Sequence, residues 1–348
     1  MKYFSNSPDE GKGCFIIAEI GVNHNGDVEL AKKLVTKARE SGADAVKFQT
    51  WITDENTSIY APKARHQKSS IDDTESQLML IKKWELNLEQ HREIKEWAAK
   101  EGIIFFSKPG SPGGLEILRQ LDMPMIKIGS PDLTNLPLIN ITAELGLPII
   151  LSTGMGTLGE TEDALGVIYK TGNNKIMLMH CTSNYPTRPE EVNLRAIETL
   201  KTSFGLPVGF SDHTEGLEMA LAAVTLGAVA IEKHFTIDSA SSGADHSTSM
   251  EPEMFAKMVE CIRNIEKGMG DGLKKVHPSE KDSIENLRRS LVLLKDVSAG
   301  TVLNDKLIGI KRPGTGMSPK YFDWVLGKKI NCDLKKDQIL SIEDLAYQ

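Results

Sequence analysis

VAIEKHFTI (229–237) reads as a strand from the inside of a protein, opening on Val229, Ala230 and Ile231 and closing on Phe235 and Ile237. Its middle holds three consecutive ionisable residues, Glu232, Lys233 and His234. Burying unpaired charge is costly, so the strand keeps them only if they face something polar. The C-terminal end of a parallel strand in an α/β barrel opens on such a place, the pocket where the eight strand ends converge.

The pattern recurs along the chain. CFIIAEIGV (14–22), AVKFQT (45–50), IIFFSKP (103–109), MIKIGS (125–130), PIILSTG (148–154), KIMLMHCT (175–182), PVGFSDH (207–213) and AVAIEKHF (228–235) are β-rich, and nearly all end in polar residues. Between them lie segments such as VELAKKLVTKARESGA (28–43), LEQHREIKEWAAKEG (88–102) and GLEMALAAVTLGA (216–228). Their apolar residues recur every three or four positions, and glycine stands near the end, as at helix C-caps. Alternating strands and helices pair in parallel through right-handed crossovers. Eight such units predict a (β/α)8 TIM barrel over residues 1–275, with a doubly wound open sheet as the alternative.

Composition narrows the function classes. The 348 residues are 40% hydrophobic and 26% charged, with a net charge of -7. That balance gives no basic field for nucleic acid. No apolar run approaches the ~20 residues of a membrane helix, and MKYFSNSPDEGKG (1–13) lacks a signal peptide's apolar core. The four cysteines lie far apart without CxxC spacing, which argues against a disulfide framework or structural zinc. A cytoplasmic protein is expected.

Each polar strand end also has a structural reading. A lone strand histidine is usually a hydrogen-bonded core residue, but His213 and His234 stand one βα unit apart, so both imidazoles reach one point and suit a divalent metal. Two imidazoles leave most positions of an octahedral ion for water and substrate oxygen. Taken singly, Lys47 and Lys127 read as end-of-strand lysines snorkelling to solvent; two strand lysines on one face point to an anion, a phosphate or a carboxylate. The hydroxyls of Ser130, Ser152 and Ser211 suit the same anion. Glu19 is either a salt-bridged structural carboxylate or, beside a metal and a carbonyl substrate, a group for proton transfer.

AEIGVNHNGD (18–27), GADAVKFQT (42–50), KIGS (127–130), LSTGM (151–155), HCTSNYPT (180–187), GFSDHT (209–214), IEKHFT (231–236), GADHS (243–247) and KRPGTG (311–316), in this order, resemble the sialic acid synthases. That family includes N-acetylneuraminate, legionaminate and pseudaminate synthases. The resemblance implies condensation of phosphoenolpyruvate with an N-acylated mannosamine-type aldose, giving a nine-carbon 2-keto acid and phosphate. It implies His213 and His234 as ligands of manganese or magnesium, and Lys47, Lys127, Ser130, Ser152, Ser211 and Ser183 as contacts to phosphoenolpyruvate. Gln49, Tyr185 and Asp245 match positions near the amino sugar, Glu19 matches the proton-transfer carboxylate, and Glu232 stands beside the metal ligand as a substrate contact.

The segment 287–348 carries a weak internal repeat, in which Val297, Val302, Leu303 and Ile308 correspond to Leu334, Ile339, Leu340 and Leu345. Two such arms predict a small pseudo-symmetric β-rich domain, similar to the antifreeze-like (SAF) module of these synthases. On its own Arg312 reads as a surface arginine before a turn. The resemblance places it in the active site of the neighbouring subunit, so that a homodimer exchanges its small domains; the charged stretch 276–286 is then the linker.

Some residues depart from the family pattern. Lys108 in FSKPGS stands where a hydroxyl is more usual. Pro131 and Asp132 in GSPDLTN (129–135) replace Gly-Glu, so Asp132 should reach the sugar differently. Asn286 stands where some members are apolar. The acceptor is therefore open between N-acetylmannosamine and a 2,4-diacetamido-trideoxy relative. Three rivals remain: a Schiff-base aldolase with Lys127 as nucleophile, another phosphoenolpyruvate-condensing synthase of a shorter keto-sugar acid, and a non-enzymatic ice-binding or partner-binding protein.

Overall fold

The computed structural model describes residues 13–62 and 76–346; the N-terminal stretch 1–12 of the expected barrel domain lies outside them. The chain divides into two units, Met1–Gly270 and Asp271–Gln348.

The first unit is a closed eight-stranded parallel barrel. Its strands are β1 (Phe15–Gly21), β2 (Ala45–Thr50), β3 (Ile104–Pro109), β4 (Ile126–Ile128), β5 (Ile149–Ser152), β6 (Ile176–Cys181), β7 (Val208–Asp212) and β8 (Ala230–His234). β8 closes the ring on β1, with Glu19 opposite His234. Helices return the chain between strands, several with a start signal in the sequence. Asp27 caps Val28–Glu40, Asn87 and Gln90 form a capping box for Leu88–Glu101, and Thr157 and Glu160 form one for Leu158–Lys170. Gly102, at φ 73°, ends the second of these helices in the left-handed conformation that glycine adopts without strain.

Side chains of a strand alternate in direction, and that alternation sorts the barrel. Phe15, Ile17, Ala45, Phe106, Met125, Ile150, Met177, Met179 and Ala230 form an apolar cluster of their own. Two or four residues further along the same strands stand Glu19, Lys47, Lys127, Ser152, Cys181 and Glu232. The barrel interior is thus a hydrophobic plug below a polar layer. The remaining strand positions pack outward into a second apolar cluster with the helices.

This sorting corrects the expectation for 232–234. Glu232 and His234 face the pocket, but Lys233 is directed to the other face, where its Nζ donates to Asp212 Oδ2 at 2.8 Å and Thr214 O at 2.6 Å. Ser107 likewise belongs to a buried network behind the strands, with its Oγ 2.7 Å from Thr50 Oγ1, which in turn meets His91 Nε2 at 2.8 Å. Convergence holds for alternate residues only.

In the second unit, β9 (Ser290–Leu293) pairs antiparallel with β10 (Ile308–Lys311). Val297 and Leu334, corresponding members of the repeat, exchange backbone hydrogen bonds at 2.9 Å in both directions. Val297 with Leu334, Leu303 with Leu340, and Ile308 with Leu345 all enter one core; Val302 is exposed. Residues 276–286, read as a linker, hold the 3-10 turn Pro278–Glu280 and most of the helix Lys281–Leu287. Gly314 N–H donates to Glu285 O at 2.7 Å, so this segment is built into the second unit. Among the described residues, no helix is long and apolar enough to cross a membrane.

Candidate active site

A pocket of about 300 Å³ opens at the C-terminal ends of the barrel strands. Glu19, Lys47, Gln49, Lys127, Ser130, Ser152, Tyr185, Ser211, His213, Glu232, His234 and Asp245 all line it. They come from seven of the eight strands or the loops that follow them, which only closure of the barrel brings together.

Its charged centre is a compact network. Lys127 Nζ lies 2.6 Å from Glu232 Oε2, and Lys47 Nζ bridges Glu232 Oε1 at 3.2 Å and Glu19 Oε2 at 3.1 Å. Ser211 Oγ donates to Glu232 Oε1 at 3.0 Å, and Gln49 Nε2 to Glu19 Oε1 at 3.0 Å. Burial alone would raise the pKa of Glu232, but Lys127 and Lys47 overcome it and hold the carboxyl well below the usual carboxylate range. Glu19 has less help. Burial and then the nearby Glu232 charge push it up to about 7, against the pull of Lys47. Burial works against the charge of Lys47 too, yet its two carboxylate partners hold it above an ordinary lysine.

The imidazoles form the second group. His213 and His234 rings lie 5.5 Å apart, and Tyr185 packs against both, at 4.2 and 5.5 Å. His213 Nδ1 is 2.7 Å from Thr182 O; a carbonyl only accepts, so Nδ1 carries the proton and Nε2 keeps its lone pair. Burial lowers the pKa of His213 to about 4, so the ring is neutral near pH 7, the state a metal ligand needs. Asp245 Oδ2 lies 3.6 Å from His234 Nδ1, and burial lifts its carboxyl to about 6. Among the described residues, no group of three His, Cys, Asp or Glu is placed to enclose an ion. His213 and His234, neighbouring imidazoles in one pocket, are the residues that would hold a divalent ion, leaving its other positions to water and substrate oxygen.

Two expected residues of the barrel unit do not line this pocket. Ser183 lines a neighbouring cavity of about 470 Å³ with His180 and Thr153. Asp132 is turned to Lys108, whose Nζ lies 3.0 Å from its Oδ2; Lys108 itself lines the main pocket. Arg312 follows β10 in the second unit and is exposed. Sequence reasoning missed Trp51, Trp84 and Cys181, which also line the pocket. Trp84 ends the helix Gln77–Trp84, outside the strand ends where polar residues were sought.

Fold and pocket together define a (β/α)8 barrel protein with a lysine-carboxylate centre beside paired imidazoles, followed by a small second unit. The chain belongs to the NeuB family, whose model matches residues 34–274, and a SAF domain matches residues 288–346. It is 45% identical to the N,N'-diacetyllegionaminic acid synthase of Campylobacter jejuni, over 94% of this chain and 99% of that one. It is 40% identical to the protein of that name from Legionella pneumophila, over 95% and 94%. The N-acetylneuraminic acid (sialic acid) synthetase structure from Leptospira borgpetersenii superposes with a TM-score of 0.70 at 33% identity, covering 81% of this chain and 95% of that chain.

Proposed function

We propose that this protein condenses phosphoenolpyruvate with an N-acylmannosamine-type aldose and water to give a nonulosonic acid and phosphate. The observation that carries the reading is the pair of buried lysines, Lys47 and Lys127, both drawn to Glu232 in the pocket that also holds His213 and His234. Similarity over nearly the whole chain to two proteins named N,N'-diacetyllegionaminic acid synthase supports it.

In the reaction, C3 of phosphoenolpyruvate forms a bond to the aldehyde carbon, whose oxygen takes up a proton. Water adds at C2 and loses a proton, and the C2–O bond to phosphate then breaks to leave the keto acid. Lys47 and Lys127 bind the anionic substrate, with the hydroxyls of Ser130, Ser152 and Ser211 as donors around it. Glu19, poised near neutrality, holds the proton that passes between carboxyl and reacting oxygen. Gln49, Tyr185 and Asp245 orient the sugar. Manganese or magnesium on His213 and His234 would supply Lewis-acid polarisation of the sugar's carbonyl.

Lys127 as a Schiff-base nucleophile would need a free amine. Burial, with Lys47 nearby, lowers the Lys127 pKa below an ordinary lysine, while the ion pair with Glu232 at 2.6 Å pulls the other way and favours the ammonium. The active assembly in this reading is a cytoplasmic homodimer in which Arg312 of each chain closes the other's barrel. The test is phosphate release from phosphoenolpyruvate by metal-stripped protein, with and without manganese, offering N-acetylmannosamine and its 2,4-diacetamido-trideoxy analogue in parallel. Manganese-dependent release with one sugar is the expected result; trapping of pyruvate on Lys127 by borohydride would replace this reading with the aldolase.

A further inference from the structure

Cys181 ends β6 inside the pocket, 6% exposed, and nothing in the reaction above uses it. Its Sγ lies 3.0 Å from Ser130 Oγ. The same oxygen accepts the Gly154 N–H at 3.1 Å. Gly154 marks why these groups can meet: a Cβ there would stand 2.5 Å from Ser183 Oγ, 2.7 Å from Ser130 Oγ and 2.8 Å from Cys181 Sγ. Two hydroxyls and a thiol thus fill the space that only a glycine leaves. Ser183, although it lines the neighbouring cavity, reaches the same spot.

A serine hydroxyl has one proton and two lone pairs. The Gly154 amide occupies one lone pair of Ser130. In the contact with Cys181 either group can donate, but sulfur is a weak acceptor, so the serine proton gains little by turning to it. A thiol that donates instead occupies the second lone pair, and the proton of Ser130 is then directed into the pocket. A carbon group at position 181 would leave the hydroxyl free to rotate, whereas any side chain that donates there keeps the second lone pair occupied.

We propose that Cys181 is a positioning residue that, together with the Gly154 amide, fixes the Ser130 hydroxyl as a donor to an anionic oxygen of the bound substrate. This role rests on the reading of the pocket as the phosphoenolpyruvate site. It assigns Cys181 no contact with substrate and no chemistry of its own. Gly154 serves the same arrangement by leaving room for it.

The test compares wild-type protein with Cys181→Ala, Cys181→Val and Cys181→Ser, measuring kcat and KM for both substrates and the Kd of phosphoenolpyruvate by titration calorimetry. Losing one neutral hydrogen bond corresponds to roughly a 3- to 10-fold effect. Ala and Val are expected to raise Kd and KM for phosphoenolpyruvate by that factor, with a smaller change in kcat and none in sugar KM. Val nearly keeps the volume of Cys, so equal losses in Val and Ala separate the hydrogen bond from packing. Ser, which keeps a donor, is expected to recover most of the affinity. The role is overturned if Ala and Val bind phosphoenolpyruvate like wild type, or if Ser is as weak as Ala. Wild-type protein that fails to bind phosphoenolpyruvate would overturn the reading of the pocket, and the positioning role with it; normal wild-type binding with unaffected variants would overturn the positioning role alone.

Discussion

Lys127 and Glu232 meet at 2.6 Å inside the barrel, their side chains 1% and 4% exposed, from strands that lie on opposite sides of the closed ring. The contact spans the barrel because both side chains stand in the polar layer above the apolar plug. A buried pair of this kind gives little net stability, but removing one partner strands the other charge. Glu232→Gln should therefore cost about 3–5 kcal/mol of stability. The same change leaves two lysines short of negative charge, which an anion can replace. Thermal melts should show phosphoenolpyruvate raising Tm more in the variant than in wild type; an unchanged Tm and equal ligand shifts would show that the pair carries no such strain.

Lys233 provides the control for that argument. It is as buried as its neighbours and is paired with Asp212 at 2.8 Å, but on the face away from the pocket. Lys233→Met should destabilise the barrel by a similar 3–5 kcal/mol while leaving kcat/KM per folded molecule within about twofold of wild type. Denaturant melts and active-site-normalised kinetics measure the two effects separately. A large loss of kcat/KM in folded Lys233→Met would mean that the alternation along β8 does not separate structure from function.

Glu19 makes the pocket's charge depend on pH. With its pKa pushed up to about 7, Glu19 passes from neutral to anionic near neutrality. With Lys47 and Lys127 positive and Glu232 negative, the cluster then falls from a net charge of about +1 to 0 as pH rises. An anion binds the more positive state better. KM for phosphoenolpyruvate should thus rise several-fold between about pH 6 and pH 8, beyond any change due to the substrate's own ionisation. Glu19→Gln fixes that position as neutral and should flatten the part of the dependence centred near pH 7, leaving only the lower step of Asp245, whose carboxyl burial lifts to about 6. Parallel pH profiles that differ only in height would remove Glu19 from the titration.

The sequence revealed the barrel because nearly every strand carries two signals at once, an apolar run and a polar end, and the segments between them carry the three-to-four-residue period of helices, several of which begin at a capping residue such as Asp27, Asn87 or Thr157. Twelve of the expected site residues line one pocket for the same reason. What the strand ends alone do not say is which face each polar residue takes. Period-two alternation sends Glu232 and His234 inward and Lys233 outward, and applying it strictly from Phe15, Ile17 and Glu19 onward would have separated them. Trp84 and the Lys108–Asp132 pair were harder, since they depend on how loops and the helix Gln77–Trp84 fold over the pocket. The repeat in the second unit was legible as far as its core, where three of its four pairs are buried together.

His234 should separate chemistry from folding in the same pocket. Its substitution by Ala removes one of two imidazoles proposed to hold the divalent ion, while the hydrophobic plug below is untouched. Turnover should fall by roughly 100-fold or more, and the remaining rate should lose its dependence on added manganese. Circular dichroism and Tm should stay close to wild type. A variant with normal rate and unchanged metal response would remove both histidines from the proposed site.

Arg312 tests the proposed exchange between subunits. It is exposed in its own unit, so Arg312→Ala should leave Tm within about 1 °C of wild type. If the arginine contacts the sugar, sugar KM should rise by about 10-fold or more, in line with a charge-assisted hydrogen bond, and phosphoenolpyruvate KM much less. Subunit mixing then distinguishes the source of the arginine. A dimer of one Arg312→Ala chain and one His234→Ala chain has two damaged sites if each chain caps itself. If the caps are exchanged, the barrel with intact His234 receives the intact Arg312, and one site of the two is whole. Mixed dimers should recover activity toward half the wild-type value per dimer; mixtures no more active than the sum of the parents would show that each chain closes its own barrel.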